Sequence, residues 1–408
     1  MSATVVDGHY AIISADTHAG GSHAQYREYL DPAFRDDFDA WRGKYRNPFK
    51  DLKDDRRARN WDSERRFAEQ ESDGVVGEVI FPNTVPPFFP SFVLFAQPPK
   101  PEEYEHRRAG IQAHNRWLVD FVNEAPDRRA GIGQIFTNDV DDAIEDATFI
   151  KEHGLRGGVL LPNVAPDAKW VRPLYDPGYD PLWKFLEDNE MPVNVHGGTG
   201  APDYGDYPFA MLLYINEVSF YSQRPFVHML LGGVFERFPR LKFVMTETGC
   251  AWVPPLLARL DDTIIKIRDT GATGEIRYTE DNVLQLTASE VFQQNCWMGV
   301  SQPGPADAAA RDVLGPDRFM WGSDYPHDEG TYPFTREHLR QVFPGVGADE
   351  MGRLLAGNAA ALYGFDLDKL APFTTAIGPT VAELAEPLTE LPENPNDALM
   401  KGVTGAVI

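Results

Sequence analysis

Eight short apolar runs alternate with amphipathic stretches along this chain, at 11–15, 75–81, 130–136, 157–161, 193–196, 241–246, 291–299 and 318–323. Residues 105–124, 140–153, 179–189, 209–237, 253–269 and 348–362 carry the helical pattern. Strands that alternate with helices pair in parallel, because each crossover returns the chain to the same end of the sheet. Eight such units in 408 residues predict a (β/α)8 TIM barrel. A doubly wound open sheet is the runner-up. It is disfavoured because Asp16-Thr17-His18 follows the first run, where a glycine-rich phosphate loop would be expected.

Two stretches exceed a minimal barrel. Residues 20–72 form an insertion after the first strand and 82–100 a second after the next, both at the face where barrels carry their sites. Four phenylalanines between Phe88 and Phe95 read equally well as a hydrophobic plug and as an apolar wall over a pocket. Residues 1–370 are expected to form the catalytic domain. Residues 371–408, rich in Pro, Glu and Thr, read as a tail that wraps a neighbouring subunit or is partly mobile.

A formal charge of −24 argues against nucleic acid and anionic membrane as partners. Cys250 and Cys296 sit in apolar stretches and read as buried free thiols. The first residues lack a basic region followed by an apolar run, and no window reaches the roughly 18 apolar residues of a membrane span. The expectation is a cytoplasmic enzyme acting on a small molecule.

The chemistry lies at strand ends. Phe319-Met-Trp-Gly-Ser-Asp324 places a carboxylate where a buried strand must turn, and a buried charge without a partner is costly. Ile12-Ile-Ser-Ala-Asp16-Thr-His18 and Val193-Asn-Val-His196-Gly-Gly end the same way. Asp16 and His18, two apart on a strand, point to one side. Singly, each residue is more often a turn carboxylate or a core histidine. Together, two imidazoles and two carboxylates suit one divalent ion, with zinc the first choice and manganese or iron as alternatives.

These motifs, in this order, resemble the amidohydrolase superfamily. With Gly232-Gly-Val-Phe-Glu-Arg-Phe-Pro-Arg-Leu-Lys242 before the sixth strand, they are most similar to the branch related to aminocarboxymuconate semialdehyde decarboxylase, amidohydrolase family 2. The resemblance runs from about residue 11 to Gly364. It implies a metal role for Asp16, His18, His196 and Asp324, a second role for Asp324 in moving a proton, and a homodimer. The chain departs from that pattern on strand six. Decarboxylases of the branch have a histidine there, and this chain has Glu247. Glu247 reads as a general acid/base or an added ligand, against the plainer alternative of a buried salt-bridge partner. His327, three residues past Asp324, could take the missing histidine's place or orient Asp324. Asn83 could also reach the pocket. His9, His23, His106, His114, His153 and His338 read as solvated.

The expected activity is that of a metal-dependent hydrolase, with metal-bound hydroxide attacking a carbonyl-type carbon of a small apolar or aromatic substrate. The alternative is a non-oxidative decarboxylase (a carboxy-lyase) acting on an aromatic or enoic acid. A non-catalytic metal-binding barrel is the reading from another class.

Overall fold

The structure is a computed structural model that describes residues 4–45, 55–91 and 96–404. Eight strands form one sheet: β1 Ile13–Ala19, β2 Gly77–Pro82, β3 Arg129–Gln134, β4 Gly158–Leu160, β5 Val193–His196, β6 Phe243–Thr246, β7 Cys296–Ser301 and β8 Phe319–Gly322. All neighbouring pairs are parallel and follow chain order. The first and last strands meet. Asp324 N–H donates to Asp16 O at 3.0 Å and His18 N–H to Tyr325 O at 2.7 Å. With helices packed around the sheet, this is a (β/α)8 barrel.

Side chains alternate along each strand, as the pleat requires. Ile13, Val79, Phe81, Ala130, Ile132, Val244 and Met320 belong to one cluster, which Ala359, Leu362, Tyr363 and Phe365 complete. Ile80, Val193, Val195, Phe243, Met245 and Trp321 belong to the larger cluster shared with the surrounding helices. Both cysteines are free and buried, as expected.

Three boundaries differ from the sequence reading. The seventh strand is Cys296–Ser301, and residues Ala288–Asn295 before it are helical. Thr287 and Glu290 form a capping box there, a helix-start signal that outweighs the apolar Val291-Phe292 pair. The helix expected over 209–237 is three helices, Ala210–Ser222, Arg224–Leu231 and Val234–Arg237. Pro225 opens the second and Gly233, at φ 69°, precedes the third. Finally, position 370 falls within a helix, Leu367–Ile377.

The last helix, Asp397–Thr404, sits on this chain's own barrel. The Asn396 side-chain N–H donates to the carbonyls of Gly330 and Thr331 at 2.8 and 3.0 Å, and Leu399 is fully buried. Among the described residues, no helix is long and apolar enough to cross a membrane. Phe92 and Phe95 lie outside the described residues. Phe88 packs on Phe38 and Trp41 of the first insertion, while Phe89 is buried against Phe136.

Candidate metal centre and active site

Local backbone sets the site. In β1 the pairing with β2 shifts register between Ser14 and Thr17, and Asp16 and His18 emerge from that irregularity facing the same neighbours. Two glycines make room for them. A Cβ on Gly322 would lie 2.7 Å from Asp16 Cβ, and one on Gly197 would lie 2.1 Å from Glu247 O. The room beside His196 therefore serves a close strand-end contact. Glu247, Gln302 and Asp324 follow β6, β7 and β8 with φ of 53°, 36° and 61°, a left-handed backbone that non-glycine residues seldom adopt. Three successive strands end in the same strained turn.

Asp16, His18, His196 and Asp324 are all completely buried. His18 Nε2 lies 3.4 Å from Asp16 Oδ1 and 3.3 Å from Asp324 Oδ1, and His196 Nε2 lies 3.4 Å from Asp16 Oδ1. Asp16 Oδ1, His18 Nε2 and His196 Nε2 have no hydrogen-bond partner. Three orphaned polar atoms in so dry a place would each cost heavily unless something else sits between them. Their remaining atoms are committed. His196 Nδ1 faces Gly197 O at 2.9 Å and His18 Nδ1 faces Pro82 O at 3.4 Å, which leaves each Nε2 lone pair facing inward. The Ser301 hydroxyl donates to Asp16 Oδ2. Asp16, His18, His196 and Glu247 bring one ligand atom each within 4.8 Å of one another, and His18, Asp324 and His327 form a second such group, a donor set that fits a divalent cation.

Charge tells the same story. Burial raises Asp16, but the His18 and His196 charges win and hold it low. Burial also raises Asp324, yet His327 and His18 drive it well below the usual carboxylate range. Burial lowers His18, aided by His327. In His196 burial is overridden by Asp16 and Glu247, which lift it to about 9. Glu247 is pushed up to about 8 by desolvation and by Asp324. These opposed shifts mark carboxyls and imidazoles packed closely enough to set one another's charge.

His327 joins through Asp324. Its Nδ1 lies 2.7 Å from Asp324 Oδ1, its Nε2 lies 3.1 Å from Asn83 Oδ1, and its ring lies 4.2 Å from that of His18. The Asn83 N–H donates to Asn60 Oδ1, so Asn83 Oδ1 is an acceptor towards His327. With acceptors at both nitrogens the ring is held as an imidazolium, and Asp324 raises it well above the ordinary histidine value despite burial. Glu247 Oε2 lies 3.4 Å from His196 Nδ1, the nitrogen opposite the orphaned Nε2. With 28 % of its side chain exposed, Glu247 has an edge at the mouth of the site.

All six residues singled out from the sequence meet here, and Asn83 with them. Gln302 was missed. Its N–H donates to Asp324 Oδ2 at 2.8 Å, and its position just after a strand end was the available signal once β7 is placed correctly. Arg66 was missed too. It donates to His18 O at 2.7 Å and pairs with the buried Glu78, behind the site. His114 and His338, expected to be solvated, are fully buried. His114 Nδ1 meets the Tyr26 hydroxyl at 2.8 Å and His338 Nε2 meets Pro303 O at 3.1 Å, partners that make a neutral core histidine tolerable.

An amidohydrolase family model matches residues 60–365. The chain belongs to the amidohydrolase family. Among solved structures it is similar to 5-carboxyvanillate decarboxylase from Sphingomonas paucimobilis, at 20% identity and TM-score 0.62 over 87% of this chain and 99% of that one. The 5-carboxyvanillate decarboxylase of Novosphingobium aromaticivorans, solved with bound manganese, shares 17% identity at TM-score 0.64 over 88% and 98%. The 2,6-dihydroxybenzoate decarboxylase from Rhizobium shares 16% at 0.56 over 87% and 99%. At these identities the likeness shows a common barrel.

Proposed function

We propose that this amidohydrolase is a metal-dependent, non-oxidative decarboxylase of a small aromatic acid. The observation that carries the reading is the state of Asp324. A hydrolytic use of the site needs a free base to take a proton from water. Both Asp324 oxygens already accept hydrogen bonds, from His327 and Gln302. Decarboxylation needs instead an anion-binding mouth and a proton donor. The named activities of the similar barrels support the same choice.

Asp16, His18, His196 and Asp324 would hold the ion. The oxygen-rich set, with Glu247 nearby, suits manganese as well as zinc, and the Novosphingobium barrel was solved with manganese. When bound, the ion supplies positive charge that orients the substrate's oxygens. The His327 imidazolium adds a fixed positive charge beside the reacting acid. Glu247 would give its carboxyl proton to the ring carbon that bears the carboxylate. The C–C bond then breaks, its electron pair restores the ring, and CO₂ leaves. Glu247 regains a proton from water at its exposed edge. Net, ArCOO⁻ and H⁺ become ArH and CO₂.

The test is CO₂ release from a panel of hydroxybenzoates by protein loaded with manganese or with zinc. Release that depends on added metal and stops with a chelator is expected. Turnover of esters, lactones or amides without CO₂ release from any acid would return the hydrolytic reading.

A further inference from the structure

At the ends of β3 and β4 lies a small cavity of about 30 Å³, walled by Phe89, Phe136, Leu160, Gln134, Arg107 and Thr199. It shares the barrel mouth. Gln134 ends β3 and is register-paired with Leu160 on β4, which pairs with Asn194 on β5, two residues before His196. The Thr199 hydroxyl donates to the His196 carbonyl at 2.8 Å.

The wall is largely apolar, and several of its polar atoms lack partners. Gln134 is 1 % exposed, and neither its amide nitrogen nor its amide oxygen has a hydrogen-bond partner. Its backbone is pinned on both sides by the Asn115 side chain, at 2.8 and 2.9 Å, so the side chain is held in place with nothing to bind. Arg107, 3 % exposed, has an unpartnered Nε, a single bond from Nη2 to Gln97 O at 2.8 Å, and Glu103 as its acid at 3.7 Å. Its guanidinium lies 4.4 Å from the centre of the Phe89 ring. Gln97 Oε1, in the same wall, is unpartnered as well. Burial draws Arg107 down to about 10 against the opposing pull of Glu103. Several unmet polar atoms converging on one void are too costly to be incidental.

We propose that this cavity receives an oxygen substituent of the substrate ring, bound by Gln134 and Arg107, and so selects which aromatic acid the enzyme accepts. The inference rests on the decarboxylase reading for the word aromatic and on geometry for the rest. The void has room for one small polar group. Phe89, Phe136 and Leu160 suit the ring behind it. A hydroxyl fits best, since it can donate to the Gln134 oxygen while accepting from Arg107.

Calorimetric titration decides it. Manganese-loaded wild type, Gln134→Leu, Gln134→Met and Arg107→Lys would each be titrated with 2-hydroxybenzoate and its 2,3-, 2,4-, 2,5- and 2,6-dihydroxy forms, after thermal melts confirm folding. Wild type should bind at least one dihydroxy acid about tenfold more tightly than 2-hydroxybenzoate, the usual worth of such a hydrogen bond. The position-134 variants should erase that preference, and Arg107→Lys should reduce it. No preference in wild type, no binding of any of these acids, or a preference that survives all variants overturns the proposal. CO₂ release on the same panel is scored separately. Selective binding without release sinks the decarboxylase reading and leaves the subsite standing.

Discussion

Gln302 donates its side-chain N–H to Oδ2 of Asp324 at 2.8 Å, while its carbonyl accepts from Lys401 of the C-terminal helix. A residue that no metal would touch therefore fixes the plane of a proposed ligand, and the tail fixes that residue. Partners that orient a ligating carboxylate are commonly worth 10–100-fold in metal affinity or activity. Gln302→Leu should weaken manganese binding by about tenfold or more in equilibrium dialysis, and Lys401→Met should do so by less. Unchanged metal affinity in both would reduce the pair to packing.

Acid should destabilise the fold through its buried histidines. Burial lowers His114 to about 3 and His338 to about 4, so both stay neutral when folded. The unfolded chain takes up those protons near pH 6.5. A folded value below the unfolded one means stability is intact above pH 6.5 and is lost as pH falls towards the folded values. Between pH 7.5 and 5, His114 alone should remove about 2 kcal/mol. Urea unfolding of wild type and His114→Asn at both pH values checks this. The variant, whatever its absolute stability, should show a pH loss smaller by about that amount.

Much of this was legible in the chain. Asp16, His18, His196 and Asp324 could be placed because a buried strand announces itself by composition, and a charge at its end contradicts that composition. The pattern did not reach Gln302, since misplacing β7 by several residues hid the strand end it follows. Arg66 was out of reach for another reason. Its partner Glu78 lies within β2 and is buried only once the insertion helix Ser63–Ser72 folds over it. Burial of polar residues by distant segments leaves no periodic trace, which is also why His114 and His338 looked solvated.

The family resemblance implies a homodimer, and we propose one exposed apolar face as its surface. Helix Ala210–Ser222 exposes Met211, Leu212, Ile215 and Phe220, with Phe209 just before it. A patch this apolar is unusual on a monomer. We propose a second copy as its occupant, because two chains of charge −24 repel everywhere that charge is displayed, and this face displays little. Sedimentation should give a mass of two chains at micromolar concentration, and Leu212→Asp with Ile215→Asp should give one. A wild-type monomer would refute it.

Glu247 carries the sharpest prediction. It stands where the family resemblance implies a histidine, beside the far nitrogen of His196 and with an edge open to water. If it delivers the proton to the ring carbon, Glu247→Gln preserves shape and hydrogen-bonding reach but removes the transferable proton. Manganese content should stay at the wild-type level while turnover falls by about 10²–10⁴, the usual worth of a positioned acid or base. Solvent proton should still reach the product through water, so product identity should not change. A ligand role predicts something else: dialysis would show weakened metal binding, and the rate would fall only in proportion to occupancy. A purely structural role would appear as a lower melting temperature with the rate per metal-loaded site retained. In that last case His327, charged and 2.7 Å from Asp324, becomes the donor, and His327→Gln should then show the loss that Glu247→Gln did not.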